Sequence, residues 1–122
     1  MQITRLHHAQ ITIPRGTEEE ARKFYCGLLG LIEIEKPNAL KSRGGFWLQV
    51  ADQQVHLGTE PNPPGLTTKA HLAYQVDDIR DWRARIEEAG FETQDNEPIP
   101  GHTRFEIRDP FGNRIEFIQP LK

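Results

Sequence analysis

Arg108-Asp109-Pro110-Phe111-Gly112-Asn113-Arg114-Ile115-Glu116-Phe117 is a turn followed by a strand, and its reading decides the fold. Pro110 and Gly112 supply the fixed and the permissive backbone angles that a tight reversal uses, so the chain turns back over 109–112. The flanking stretches 104–108 and 113–119 alternate apolar with polar side chains and predict a hairpin. In its last strand Ile115 and Phe117 share one face, which leaves Glu116 on the other. The first half of the chain repeats this arrangement. There, 46–50 and 53–58 predict a hairpin turned at Ala51-Asp52, and its last strand reads Val55-His56-Leu57. Each half thus ends on a metal-ligand type of residue set between apolar neighbours.

Each hairpin follows a strand, a helix and a short strand. In the first half, 3–13 reads as a half-buried strand in which Ala9, Ile11 and Ile13 alternate with His8, Gln10 and Thr12. Pro14 and Gly16 break it. Thr17 with Glu20 three residues on predicts a capping box for a helix reaching about Leu29, which Gly30 ends. A short strand is expected at 31–35, and 36–45, with Pro37 and the Gly44-Gly45 pair, predicts a mobile loop carrying Arg43. In the second half the same order runs from a strand at 69–76, opened by His71-Leu72-Ala73, through an Asp77 or Asp78 cap. A helix to about Ala89, Gly90 as its stop, a short strand at 91–93 and a loop at 95–102 follow. A Pro-rich linker, 60–68, separates module 1–59 from module 69–122. Neither module of about sixty residues buries much alone. The expectation is therefore one α+β domain over 1–122, two βαβββ repeats whose sheets lie side by side as one curved mixed sheet around a central cavity.

Composition narrows the function classes. The 122 residues carry 15 basic and 18 acidic side chains without single-sign blocks, so nothing marks a nucleic-acid surface. With 36% hydrophobic residues and a mean hydropathy of −0.65, no run approaches the roughly 18 apolar residues of a membrane span, and no signal segment opens the chain. A cytoplasmic protein with a small-molecule partner is expected. The single cysteine, Cys26, lies among Phe24, Tyr25 and Leu28 and reads as packing.

Strand phase then sorts the polar residues. With Val55, Leu57, Ile115, Phe117, Leu72 and Tyr74 under the helices, His8, His56, His71 and Glu116 point to the opposite face. Phe46, Leu48, Val50, Phe105 and Ile107 pack, leaving Trp47, Gln49, Arg104 and Glu106 beside the four. A lone strand histidine is more often structural than a ligand, but four ligand-type residues in matching phase favour a metal centre. Three imidazoles and a carboxylate suit zinc, nickel, cobalt, manganese or iron(II) and do not choose among them. Trp47 either stacks on a substrate or closes the face as core. Arg104 and Arg43 are candidates to bind a substrate carboxylate, Arg104 alternatively pairing with Glu106, and Gln49 is a further candidate contact. His7 faces the helix side, where a structural role is expected, and His102 reads as a loop residue. Trp82, spaced with Ile79 and Ile86, reads as core, and Glu18-Glu19-Glu20 as helix N-terminal charge.

On these residues the chain resembles the glyoxalase, bleomycin-resistance and extradiol-dioxygenase superfamily, the vicinal oxygen chelate proteins. The stretch 108–117 is similar to the family's Asp-Pro-aromatic-Gly-Asn turn leading to a glutamate ligand. Leu6-His7-His8, Phe24-Tyr25 before Leu29-Gly30-Leu31, and His71-Leu72-Ala73 match as well. The resemblance implies that His8, His71 and Glu116 form the triad of fosfomycin-resistance enzymes and extradiol dioxygenases, that His56 stands where glyoxalase I has a further ligand, and that the protein is a homodimer. It implies one divalent ion polarising vicinal oxygens of the substrate.

Subfamily markers differ. Where glyoxalase I has an arginine and an asparagine for glutathione, this chain has Thr12 and Glu60. The serine-rich potassium loop of fosfomycin transferases has no counterpart in 95–102, and of the extra His and Tyr residues of ring-cleaving dioxygenases only His102 offers itself. The leading expectation is a metal-dependent lyase or isomerase with Glu116 as ligand and, when displaced, as base, a metal-bound hydroxide being the other candidate base. The alternatives are a metal-free binding protein of the bleomycin-resistance type and an extradiol-type dioxygenase.

Overall fold

The computed structural model describes residues 1–121, the side chain of Leu66 excepted, so Lys122 of the second module lies outside the described residues. The chain divides into two compact units, 1–63 and 64–122. Among the described residues no helix is long and apolar enough to cross a membrane.

The first unit runs β1 (His8–Pro14), α1 (Glu18–Arg22), β2 (Ile32–Ile34), β3 (Phe46–Val50) and β4 (Gln53–Glu60). Its sheet has the order β1-β4-β3-β2, parallel between β1 and β4 and antiparallel elsewhere. Pairing of β1 begins at His8 opposite Gln54, so the strand expected from residue 3 starts five residues later. Among the described residues no strand pairs with residues 1–7, and Ile3 and Leu6 stay exposed. Pro14, expected to break the strand after Ile13, is instead its last residue, tolerable where β1 has a single partner.

The capping box is not formed. The Thr17 hydroxyl donates back to the Pro14 carbonyl at 2.6 Å and makes no cap bond. After α1 the helix widens into a π-helix over Lys23–Leu28, with the Leu29 N–H donating to the Phe24 carbonyl. The wider turn lets the consecutive Phe24 and Tyr25 both bury, their rings edge to face at 4.9 Å. The expected loop at 36–45 contains a 3₁₀ helix, Asn38–Arg43, closed by Gly44 and Gly45, both at φ 75°.

The second unit runs β5 (His71–Gln75), α2 (Ile79–Glu88), β6 (Gln94–Asp95), β7 (His102–Arg108) and β8 (Arg114–Pro120), in the order β5-β8-β7-β6. Asp78 caps α2, accepting from the Asp81 N–H at 3.2 Å. The short strand falls at 94–95 instead of 91–93. Trp82 stacks on Phe117 at 5.8 Å beside buried Ile79 and Ile86 but stays half-buried, so it packs at the edge of the core its spacing predicts. The turn of the opening stretch is organised by Asp109, 4% exposed, whose carboxylate accepts from the Phe111 and Asn113 N–H groups and from the Asn113 amide. The two units are thus the two βαβββ repeats of an α+β glyoxalase-like fold.

Candidate functional site

Strand alternation places the ligand-type residues as phase predicts. In β4, Val55 and Leu57 bury against the unit's core, as do Ile115 and Phe117 in β8. His56 and Glu116, on the opposite face, are nevertheless only 4% and 3% exposed, because neighbouring strands cover them.

In the first unit, His56 lies between two rings. The Trp47 indole, its cross-strand partner on β3, stacks on one face with centroids 3.8 Å apart and planes 1° apart. The His8 imidazole stacks on the other at 4.2 Å. Burial, with His8 and His7 adding to it, pushes the His56 pKa down to about 4, so the ring is neutral near pH 7. Its Nε2–H donates to Gln54 Oε1 at 2.9 Å, which leaves the lone pair on Nδ1. His7 does not turn under the helix as its phase suggests. It is exposed, ahead of the first strand pairing, with Nδ1 3.0 Å from His8 Nδ1.

In the second unit, His71 and Glu116 meet. The His71 Nδ1–H donates to the Lys69 carbonyl at 2.9 Å, so in the neutral ring Nε2 carries the lone pair. That nitrogen lies 3.2 Å from Glu116 Oε1. Two lone pairs facing each other require a proton or a cation between them. The spacing is about that of neighbouring ligand atoms on an ion bound at roughly 2.1 Å, and a backbone carbonyl on the far nitrogen is the usual support of a ligand histidine. This pair fits a divalent ion. Within either unit, among the described residues, no group of three or more His, Cys, Asp or Glu is arranged to hold one.

Arg104 takes neither role expected of it in simple form. Its Nη1 donates to Glu116 Oε1 at 3.2 Å, and Nε and Nη2 donate to the Glu97 carbonyl. Glu106, its expected partner, pairs with Arg114 instead. Glu106 and Glu116 are direct cross-strand neighbours, so each carboxylate of this like-charged pair has its own diagonal arginine. Gln49 is drawn away from the site, both amide hydrogens going to the hairpin carbonyls of Ala51 and Gln53 at 2.8 and 3.0 Å. His102 bonds locally, its Nδ1–H donating to the Pro100 carbonyl at 3.1 Å. Thr12 and Glu60 are bonded to each other, Oγ1 to Oε1 at 2.8 Å.

Sequence reasoning missed Lys36. With Gln10, which strand phase places on the cavity face, and with Arg43 and Trp47 it lines a cavity of about 280 Å³ on the His56 face of the first unit. Lys36 stood in a stretch read as a loop, where no period assigns a direction. A separate cavity of about 460 Å³ lies in the second unit against Glu92, Thr93, Gln94 and Glu106, away from His71.

Repeated βαβββ units with an imidazole or carboxylate on the polar face of each closing strand define the vicinal oxygen chelate class. The chain belongs to the Glyoxalase/Bleomycin resistance protein/Dioxygenase superfamily, whose family model matches residues 5–117. A glyoxalase family protein from Bacillus anthracis is 40% identical, with a TM-score of 0.91 and 98% of each chain covered. An antibiotic-binding protein from a Streptomyces species is 27% identical, with a TM-score of 0.72 over 98% of this chain and 99% of that one. Lactoylglutathione lyase from Agrobacterium tumefaciens, 18% identical with a TM-score of 0.74 over 97% of this chain and 95% of that one, shares the fold. No curated protein matches the chain.

Proposed function

We propose that the protein is a metal-dependent enzyme of the lyase or isomerase type acting on a small oxygenated substrate. The observation that carries this reading is the His71–Glu116 pair, two electron-pair donors 3.2 Å apart with the histidine tautomer held by the Lys69 carbonyl. The family resemblance adds His8 and His56 as further candidate ligands. A bound divalent ion supplies Lewis acidity toward adjacent substrate oxygens. The chain's own residues do the rest. Glu116 would take the substrate proton, with Arg104 keeping its carboxylate oriented. Trp47 excludes water beside His56, and Arg43 binds the substrate's charge. The Thr12–Glu60 bond puts a carboxylate where a glutathione enzyme needs cationic and amide groups, which favours a substrate other than a glutathione adduct. Assembly as a homodimer, proposed from the family resemblance, is checked by sedimentation.

A second reading has its own support. Arg104 already offers Glu116 a positive charge, so the face can be neutralised without an ion, as a metal-free binding protein requires. A His71→Ala variant separates the two. Metal and turnover are lost under the first reading, and ligand affinity is kept under the second.

A further inference from the structure

The 280 Å³ cavity of the first unit carries chemistry that the donor residues do not explain. Two cationic side chains, Lys36 and Arg43, line it, and no carboxylate is among its lining residues. The Lys36 ammonium makes one bond, to the Gly44 carbonyl at 2.7 Å, which leaves two of its three hydrogens. Arg43 has neither hydrogen bond nor ion pair among the described residues. Like charges on one small concave surface repel unless an anion joins them. The remaining walls are the Trp47 indole, Leu40 and Leu57, the neutral polar side chains of Gln10 and Thr59, Gly44, and Gly58, where a Cβ would come within 3.0 Å of the Gln10 amide. At the small end of ligand cavities, which run to roughly 300–1,000 Å³, the space admits about one ring.

We infer that this cavity binds a small organic acid, a single carboxylate held between Lys36 and Arg43 on a planar, unsaturated body that lies against Trp47. The inference names a substrate class for the proposed site and rests on that reading only in placing substrate on the His56 face. Guanidinium and ammonium together hold a carboxylate more firmly than either does alone. The indole contributes a flat apolar surface, and Gly58 keeps the floor low. Because Trp47 also stacks on His56, an acid bound here sits one ring away from the candidate ligands.

Benzoate is the probe. Titrated into the EDTA-treated protein and followed by tryptophan emission in a Trp82→Phe background, it should bind saturably, and more tightly than benzyl alcohol, which lacks the charge, or acetate, which lacks the ring. Lys36→Met/Arg43→Met should weaken benzoate by about tenfold or more and leave benzyl alcohol unchanged. Near-UV circular dichroism confirms the variant's fold. Absence of saturable benzoate binding, equal binding to the double variant, or inorganic phosphate binding as tightly as benzoate would overturn the inference. His71→Ala and Glu116→Ala lie outside the cavity and should not change benzoate affinity. Metal bound by wild type and lost in those variants, with no saturable benzoate binding, overturns this inference alone; saturable benzoate binding with no metal in wild type overturns the metal reading alone.

Discussion

Single residues show how much depends on local partners. Asp109 is buried and accepts three hydrogen bonds inside the turn that carries β7 into β8. Asp109→Ala strands two backbone N–H groups and should cost about 2–3 kcal/mol in urea unfolding, far more than removal of an exposed acid such as Asp52. An equal effect for the two substitutions would show that the carboxylate does not organise the turn. Cys26 illustrates the opposite case. Burial, then the nearby Glu33 charge, raises its thiol pKa, and its alkylation by iodoacetamide at pH 7 should be slower than that of a free thiol. The directions of His56 and Glu116 were legible because an alternating strand leaves one choice of face once Val55, Leu57, Ile115 and Phe117 are taken as core. The partners of Arg104 and Gln49 were not. Long side chains reach diagonally or back to their own turn, and a spacing rule contains neither option.

At the scale of elements, the turns and the segment before β3 set the geometry. Ala51 holds φ 51° at the β3–β4 turn, a left-handed conformation that costs an L residue roughly 1 kcal/mol. Ala51→Gly should therefore raise stability by about 0.5–1 kcal/mol, read as a higher urea midpoint at unchanged slope. A lower midpoint would mean that Ala51 packs rather than strains. The base of the 3₁₀ segment is tied down by the Gly45 N–H donating to Glu18 at 3.2 Å, and this bond is the main cause of the lowered Glu18 pKa. A carboxylate whose folded pKa lies below its unfolded value stabilises the fold above the unfolded pKa, and that stability is lost as pH falls through the folded one. Glu18→Gln should thus cost about 0.5–1 kcal/mol at pH 7, discounted for the solvent around the group, with the difference closing below about pH 4. A gap independent of pH would assign the effect to packing. Element order and hairpin positions were readable from Gly, Pro and alternation. The π-helix was not, since burying Phe24 and Tyr25 together is a tertiary demand. The late start of β1 was missed for a related reason: pairing begins where β4 begins, at a residue remote in sequence.

At the scale of the whole molecule, the two repeats share a topology and have diverged in chemistry. The first carries stacked imidazoles and a cationic cavity, the second a charge-compensated face around Glu116. Repetition was visible in the sequence because each repeat ends in the same apolar-donor-apolar triplet, and family membership followed from the turn at 108–117. Arg43 was readable as a candidate for a substrate carboxylate, but its pairing with Lys36 was not, because the two come together only when the 3₁₀ segment folds over β3 and β4. A ligand that binds only the folded chain raises its stability in proportion to the logarithm of its concentration. The metal reading accordingly predicts a melting temperature that climbs with added divalent ion in wild type and stays flat in Glu116→Ala.

Elemental analysis of protein purified without a histidine tag, comparing wild type with His71→Ala and Glu116→Ala, tests the central claim most directly. About one divalent ion per chain in wild type, lost in both variants, is the result predicted by the donor pair. No ion in the wild type, even after incubation with zinc, nickel, manganese and iron(II), would contradict a metal-dependent enzyme and leave a binding protein in its place.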